Sequence, residues 1–126
     1  MIFDTDILIW VQRGNEKAAR AIEQSDNPKL SIQSYLELLQ CANSKMEHKT
    51  IKNFLHECDF EILPISEVIS HRAAVYIEEY SLSHGVRAGD AFIAATAIEH
   101  HLTLVTGNKK HFSCITDLDL KVFSPT

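Results

Sequence analysis

Four carboxylic acids and one carboxamide stand where they could do chemistry: Asp4, Asp6, Glu37, Asp90 and Asn108. Asp4 and Asp6 bracket Thr5 inside the opening "MIFDTDILIW". Ile2, Phe3, Ile7, Leu8, Ile9 and Trp10 around them belong in a core, whereas an ionised carboxylate does not unless something compensates it. Carboxylates packed close together raise each other's pKa and destabilise the fold unless a cation sits among them. Hard oxygen donors of this kind suit Mg²⁺ or Mn²⁺, which keep several waters and accept phosphate oxygens. Such an ion polarises a phosphate and acidifies a water.

That chemistry needs elements that bring the groups together. "MIF" reads as a short buried strand, followed by a short helix over Ile7–Gln12. "NEKAARAIEQS" carries Ala18, Ala21 and Ile22 at helical spacing. "NPKLSI" gives a second strand ending near Ile32. "SYLELLQCAN" predicts a helix with Leu36, Leu39 and Cys41 inward. "HKTIKNFLHEC" is amphipathic, with Ile51, Phe54, Leu55 and Cys58 on one face. "FEILPI" is a third strand stopped by Pro64. A long helix runs from about Ser66, a fair N-cap, to His84, with Gly85 as its stop. "DAFIAATAIEHH" is apolar almost all round, so its helix is buried on several sides, and His100 and His101 at its end suit the helix dipole. "LTLVT" and "LKVF" supply the last two strands.

Short apolar strands alternating with helices imply parallel pairing with helices on both faces. In such sheets the functional crevice lies beyond the carboxyl ends of the strands. Asp4 follows the first strand, Glu37 sits in the first turn of the helix after the second, Asp90 begins the buried helix, and Thr106 and Asn108 follow the fourth strand. Each has a bland alternative. Asp4 and Asp90 could be helix N-caps, Glu37 could close a capping box with Ser34, and Asn108 could be a turn residue. Four caps need not all fall at strand ends.

The chain has 126 residues with 45% hydrophobic and 23% charged composition, which predicts one domain with a proper core. Its formal net charge of −5 argues against holding nucleic acid by bulk charge. It leaves open an enzyme whose acidic centre acts on nucleic acid. Three scattered cysteines, Cys41, Cys58 and Cys114, read as free thiols. Neither a signal peptide nor a membrane span is legible, so the expected location is the cytoplasm. The histidines lack H-x-x-x-H spacing, which disfavours zinc.

The sequence resembles the PIN-domain ribonucleases, and within them the VapC toxins of type II toxin–antitoxin systems. "DTDILIW" is similar to the family's opening D-T-N-x-L-I. "SIQSYLELLQC" resembles its S-x-x-x-x-E-L segment. "GDAFIAATAIEHHLTLVTGNKKHF" resembles an Asp followed by I-A-A-T-A, a strand, and T-x-N/D-x-x-H-F. The resemblance implies a single PIN domain over 1–126, a three-layer α/β/α sandwich with a central parallel sheet of about five strands. It implies Mg²⁺-dependent (or Mn²⁺-dependent) cleavage of RNA and a cognate antitoxin protein as partner. By position it makes Asp4, Glu37, Asp90 and Asn108 the catalytic and metal-binding residues, with Thr106 supporting Asp4. Three departures stand out. Asp6 replaces the usual Asn, adding a carboxylate at the rim; Asn108 replaces a frequent Asp, lowering the site's charge; and "QC" replaces the Gly often found after E-L-L.

Arg87, Lys109 and Arg13 are candidate substrate contacts, the alternatives being ion pairs or solvated turns; Lys110 and His111 share that turn. Trp10 reads as core or dimer contact. Apolar residues between Ser34 and Cys58 exceed what one small core needs, and the resembled family commonly pairs, so a homodimer is expected. Two rival functions remain. "IFDTDIL" satisfies the D-x-D opening of a haloacid-dehalogenase-type aspartyl phosphatase, but the later Lys and G-D-x-x-x-D element are not supplied. A catalytically decayed PIN-like binding module is the other, kept open by the neutral Asn108.

Overall fold

A computed structural model describes residues 1–126. Five strands form one parallel sheet: β1 (Ile2–Phe3), β2 (Lys29–Ser31), β3 (Glu61–Leu63), β4 (Leu104–Thr106) and β5 (Leu120–Val122), in the order β3-β2-β1-β4-β5. The seven helices are α1 (Thr5–Gln12), α2 (Glu16–Glu23), α3 (Ile32–Cys41), α4 (Lys45–Glu57), α5 (Glu67–His84), α6 (Ala88–Glu99) and α7 (Lys109–Phe112). This is the PIN-like α/β/α arrangement that the motifs implied.

Side chains alternate along the central strands, so each strand feeds two cores. Ile2 and Leu104 join Ile69, Ala73, Ala91 and Ala95 of α5 and α6 in one cluster. Phe3 and Val105 join Ile7, Leu8, Ile22, Ile51 and Leu55 of α1, α2 and α4 in the other. α6 is buried nearly all round because its inward residues are small: Ala91, Ala94, Ala95 and Ala97 are each fully covered. α5 begins at the Ser66 cap, whose Oγ accepts from the Ile69 N–H at 3.2 Å. It ends at Gly85, whose φ of 69° is the left-handed conformation that glycine adopts without strain.

The order of strands decides where a site can form. The chain builds β1, β2 and β3 outward in one direction, then returns to lay β4 on the other side of β1. β1 and β4 therefore flank the point where the winding reverses, and their carboxyl ends open the crevice.

α3 corrects the sequence expectation. It starts at Ile32 after the Ser31 cap, so the buried stripe is Ser34 and Leu38. Leu36 is exposed, as is Cys41, and Leu39 is only half-buried. The cause is packing: α3 lies against α1 and α6, and the inward stripe is the one that carries Ser34 and Leu38. The three cysteines are free. Residues Lys109–Phe112 form α7 where the sequence predicts a turn, and no helix is long and apolar enough to cross a membrane.

Candidate active site

Asp4 closes β1 and caps α1. Its backbone is tied to β4, its N–H donating to the Val105 carbonyl at 2.9 Å. The carboxylate is 4% exposed. A capping side chain ordinarily reaches the second or third helical N–H. Here Oδ1 takes the first, Thr5, at 2.8 Å. Oδ2 takes the Thr106 hydroxyl at 2.6 Å. That hydroxyl in turn accepts the Asn108 N–H at 3.0 Å, so β4 and the turn after it are wired onto Asp4.

Those bonds do not offset the cost of burial. The Asp4 carboxyl is pushed up to about 7 from 3.8, first by burial and then by the charge of Asp6, with Asp90 contributing less. The Thr106 hydroxyl and the Thr5 N–H pull it partway back. Asp6 is also raised, again mainly by burial. Its Oδ2 accepts the Gly107 N–H at 2.9 Å. Its Oδ1 is buried without a well-formed hydrogen bond, although the N–H groups that open α1 lower the acid somewhat. A methyl group at Gly107 would fall 2.8 Å from Asp6 Oδ2, so the close approach of the two turns needs glycine there.

Glu37 and Asp90 come from the other side. Glu37 lies in the second turn of α3, not the first, because the helix starts at Ile32. The Ser34 capping box does not form, and the Ser34 hydroxyl is buried without a partner. Instead Glu37 Oε1 accepts from Gln33 Nε2 at 3.1 Å. The same oxygen would lie 2.9 Å from a methyl group at Gly89, so α6 approaches Glu37 where it has no side chain. Asp90 follows at the third helical position, not the cap. Arg87 holds the cap position, and its N–H donates to Asp90 Oδ2 at 3.2 Å. His111 Nδ1 stands 3.3 Å from the same oxygen, a pairing the sequence reading had not assigned. The signal was there: His111 is one helical turn beyond Asn108, on a segment that leaves β4 beside α6.

Asn108 caps α7 without using its side chain. The carboxamide makes no hydrogen bond within the protein, and Lys109 and Lys110 beside it are exposed. Arg13 is placed elsewhere: it caps the end of α1 and stacks on Trp10, 5.8 Å from the ring centre.

The acids thus line one end of the sheet, but no three Asp, Glu, His or Cys side chains close into a cage. Glu37 and Asp90 are each held by hydrogen-bond donors of their own, Gln33 Nε2 and the Arg87 N–H. The residues fit a hard divalent ion that takes one or two carboxylates and fills its shell with water. Asp4 is a buried acid short of compensation, and Asp6 Oδ1 is an unpartnered oxygen beside it. Asp4 has no lysine partner of the kind a phosphorylated aspartate requires; its bonds are to Thr5 and Thr106.

Comparison with known proteins follows the same lines. A family model described as "PIN domain" matches residues 1–116. Ribonuclease VapC10 of Mycobacterium tuberculosis is 32% identical over 122 residues, covering 94% of this chain and 90% of that protein. A toxin–antitoxin complex from Klebsiella pneumoniae contains a chain of the same fold, with TM-score 0.79 and 29% identity, covering 99% of this chain and 97% of that one. The crystal structure of FitAcB from Neisseria gonorrhoeae matches with TM-score 0.71 and 26% identity over 98% of this chain and 96% of its own.

Proposed function

The chain belongs to the PIN-domain family, and from that premise we propose that it is a divalent-metal-dependent endoribonuclease, the toxin of a toxin–antitoxin pair. The observation that carries the reading is Asp4, 4% exposed at the carboxyl end of the central strand, with Asp6 and Asp90 as charged neighbours. Burying such a carboxylate next to other acids costs the fold more than its hydrogen bonds return, and a bound cation would offset that cost. The relative named a ribonuclease supports RNA as substrate. The matching chain in a toxin–antitoxin complex supports a protein partner.

Mg²⁺ or Mn²⁺, when bound, supplies polarisation of the phosphodiester and a lower pKa for water. Asp4 and Asp90 would hold it, with Glu37 and Asn108 completing the donor set. Glu37 would take the proton of the water that attacks phosphorus in line as the opposite P–O bond breaks, the departing oxygen taking up a proton from solvent; Gln33 fixes the orientation of the Glu37 carboxylate. The neutral Asn108 carboxamide, free of internal bonds, steadies a water or a phosphate oxygen. Thr106 keeps Asp4 oriented and its charge partly offset. Arg87 and Lys109, at the starts of α6 and α7, would contact phosphates of the substrate.

An apolar trough of about 200 Å³ between α1 and α4, lined by Leu8, Val11, Leu38 and Phe54 among others, suits an apolar segment of the antitoxin. Leu36 and Met46, exposed on α3 and α4, suit pairing of two copies. Antitoxin-free protein incubated with labelled RNA tests the reading. Cleavage should be absent in chelator and appear when Mg²⁺ or Mn²⁺ is restored. Cleavage undiminished in chelator would overturn the metal's role, and none with either ion would overturn the nuclease.

A further inference from the structure

On the face of the sheet that α2 covers, a groove of about 400 Å³ runs between α2 and the edge strand β5. Its floor includes Phe3, Val105 and Phe123. Its rim carries Lys17 and Arg20, one turn apart on α2, and Lys121 on β5. No Asp or Glu side chain lines it. All three cations are exposed, and none is paired with an acidic side chain. Lys17 lies over the Phe123 ring at 5.7 Å and donates to the main-chain oxygen of Thr126 at 3.2 Å. A chain whose formal net charge is −5 thus gathers three cations and no acid along this groove. The comparable groove among α1, α3 and α4, of equal volume, has one acid, Glu47, and no cation.

The groove leads to the acidic site. Phe123, which lines it, lies against the turn that carries the site: its carbonyl would be 3.5 Å from a methyl group at Gly107, whose N–H is held by Asp6. At its near end the Phe123 N–H donates to the Thr106 carbonyl at 2.7 Å. A strand of nucleic acid with a phosphate at Asp4 would therefore run past the turn after β4 into a cation-rimmed channel. Cations on the rim match a phosphate backbone, the sequence-independent part of single-strand binding, while Phe3, Val105 and Phe123 beneath them are almost wholly buried in the core.

We propose that the α2–β5 groove is the binding track for single-stranded RNA flanking the cleaved bond, with Arg20 and Lys121 contacting phosphates. The proposal rests on the nuclease reading and deepens it. It also accounts for how an acidic protein holds a polyanion: through a local track instead of overall charge.

The test is binding of a labelled single-stranded RNA of roughly 16 nucleotides by the full chain in chelator, followed by fluorescence anisotropy across salt concentrations. The double variant Arg20→Glu/Lys121→Glu is compared with Lys49→Glu/Lys52→Glu, an equal charge change on the exposed side of α4. Arg20→Gln/Lys121→Gln repeats the test without adding acids to α2, and thermal melts establish that each variant is folded. The groove variants should bind about tenfold or more weaker and lose roughly 1.4 from the log–log salt slope, the share of two single-strand phosphate contacts. The α4 variant should bind nearly as the parent. Equal weakening by both reversals would assign the effect to bulk charge and overturn the proposal. Unchanged binding in the groove variants, with the parent binding well, would overturn the groove alone and leave the nuclease reading standing. No RNA binding by the parent would sink both. If RNA binding is unchanged but binding of poly-glutamate is lost, the groove serves an acidic polypeptide and the proposal is wrong.

Discussion

The two sides of the acidic site are built differently. On the β1–β4 side, Asp4 is nearly inaccessible and held at both oxygens, and Asp6 is locked to the Gly107 turn. On the α3–α6 side, Glu37 is half-buried and held by one long side chain, and Asp90 shares a single oxygen between a backbone N–H and His111. The first side is rigid and electrostatically costly. The second is adjustable and adds little to that cost, since Asp90 is the smallest contributor to the rise at Asp4. The contrast suits a fixed anchor for a cation facing groups that can turn toward it and toward a substrate.

The largest effect expected from this contrast is a pH dependence. Asp4 rises from 3.8 unfolded to about 7 folded, so the native state binds the extra proton between those values. Stability of the metal-free protein then falls as pH rises through that window and levels off above it. The contribution of Asp4 alone is on the order of 4 kcal/mol. Denaturant melts in chelator at pH 5 and pH 8, which sample about two-thirds of that window, should show most of the loss, and Mg²⁺ should recover part of it at the higher pH. Equal stability at both, with and without the ion, would remove the buried-acid premise.

Next is Thr106→Val, which keeps the side-chain shape but leaves Asp4 Oδ2 and the Asn108 N–H without their partner. The expected cost is about 2–3 kcal/mol, measurable by urea unfolding in chelator. A cost near zero would mean that the wiring of the rigid side is dispensable. Asp6→Asn removes the second-largest cause of the rise at Asp4 and can still accept the Gly107 N–H. It should stabilise the metal-free protein at pH 8 by about 1 kcal/mol and weaken divalent-ion binding by calorimetry. Destabilisation at that pH would show that Asp6 serves the fold.

The smallest effect on stability belongs to Gly89→Ala on the adjustable side. The added methyl would displace the end of Glu37, while alanine favours the helix by about 1 kcal/mol, so the melting curve should barely move. Cleavage of RNA should nevertheless fall. Full activity with a displaced Glu37 would remove that residue from the chemistry.

The rigid side was the more legible in sequence. A strand that ends in D-T-D among core residues, and a second that ends in Thr, announce buried polar groups at strand ends. Parallel order followed from short apolar strands separated by helices. The adjustable side was harder to read. "NPKLSI" reads as a strand to near Ile32 and Ser34 as the start of the next helix, which puts Glu37 one turn too early; Leu36 and Cys41 read as inward only because apolar spacing does not say which face meets a neighbour. Asp90 looked like a cap because the Arg87 position carries no usual capping side chain. His111 meets Asp90 from α7, whose four residues are too few for periodicity to reveal, so its only signal was its place one turn beyond Asn108. Local spacing fixes what a strand buries, but not which turn of a helix faces a neighbour.

The central claim is that these carboxylates serve metal-dependent cleavage instead of the fold, and Asp90→Asn tests it most directly. The substitution keeps size and can still accept the Arg87 N–H, while removing one negative charge from the adjustable side. RNA cleavage by antitoxin-free protein would be followed against Mg²⁺ concentration for parent and variant, with thermal melts of both in chelator. The account predicts a variant that melts at or above the parent's temperature in chelator and cleaves at least about a hundredfold more slowly at saturating Mg²⁺. Parental cleavage by a folded Asp90→Asn protein would contradict it.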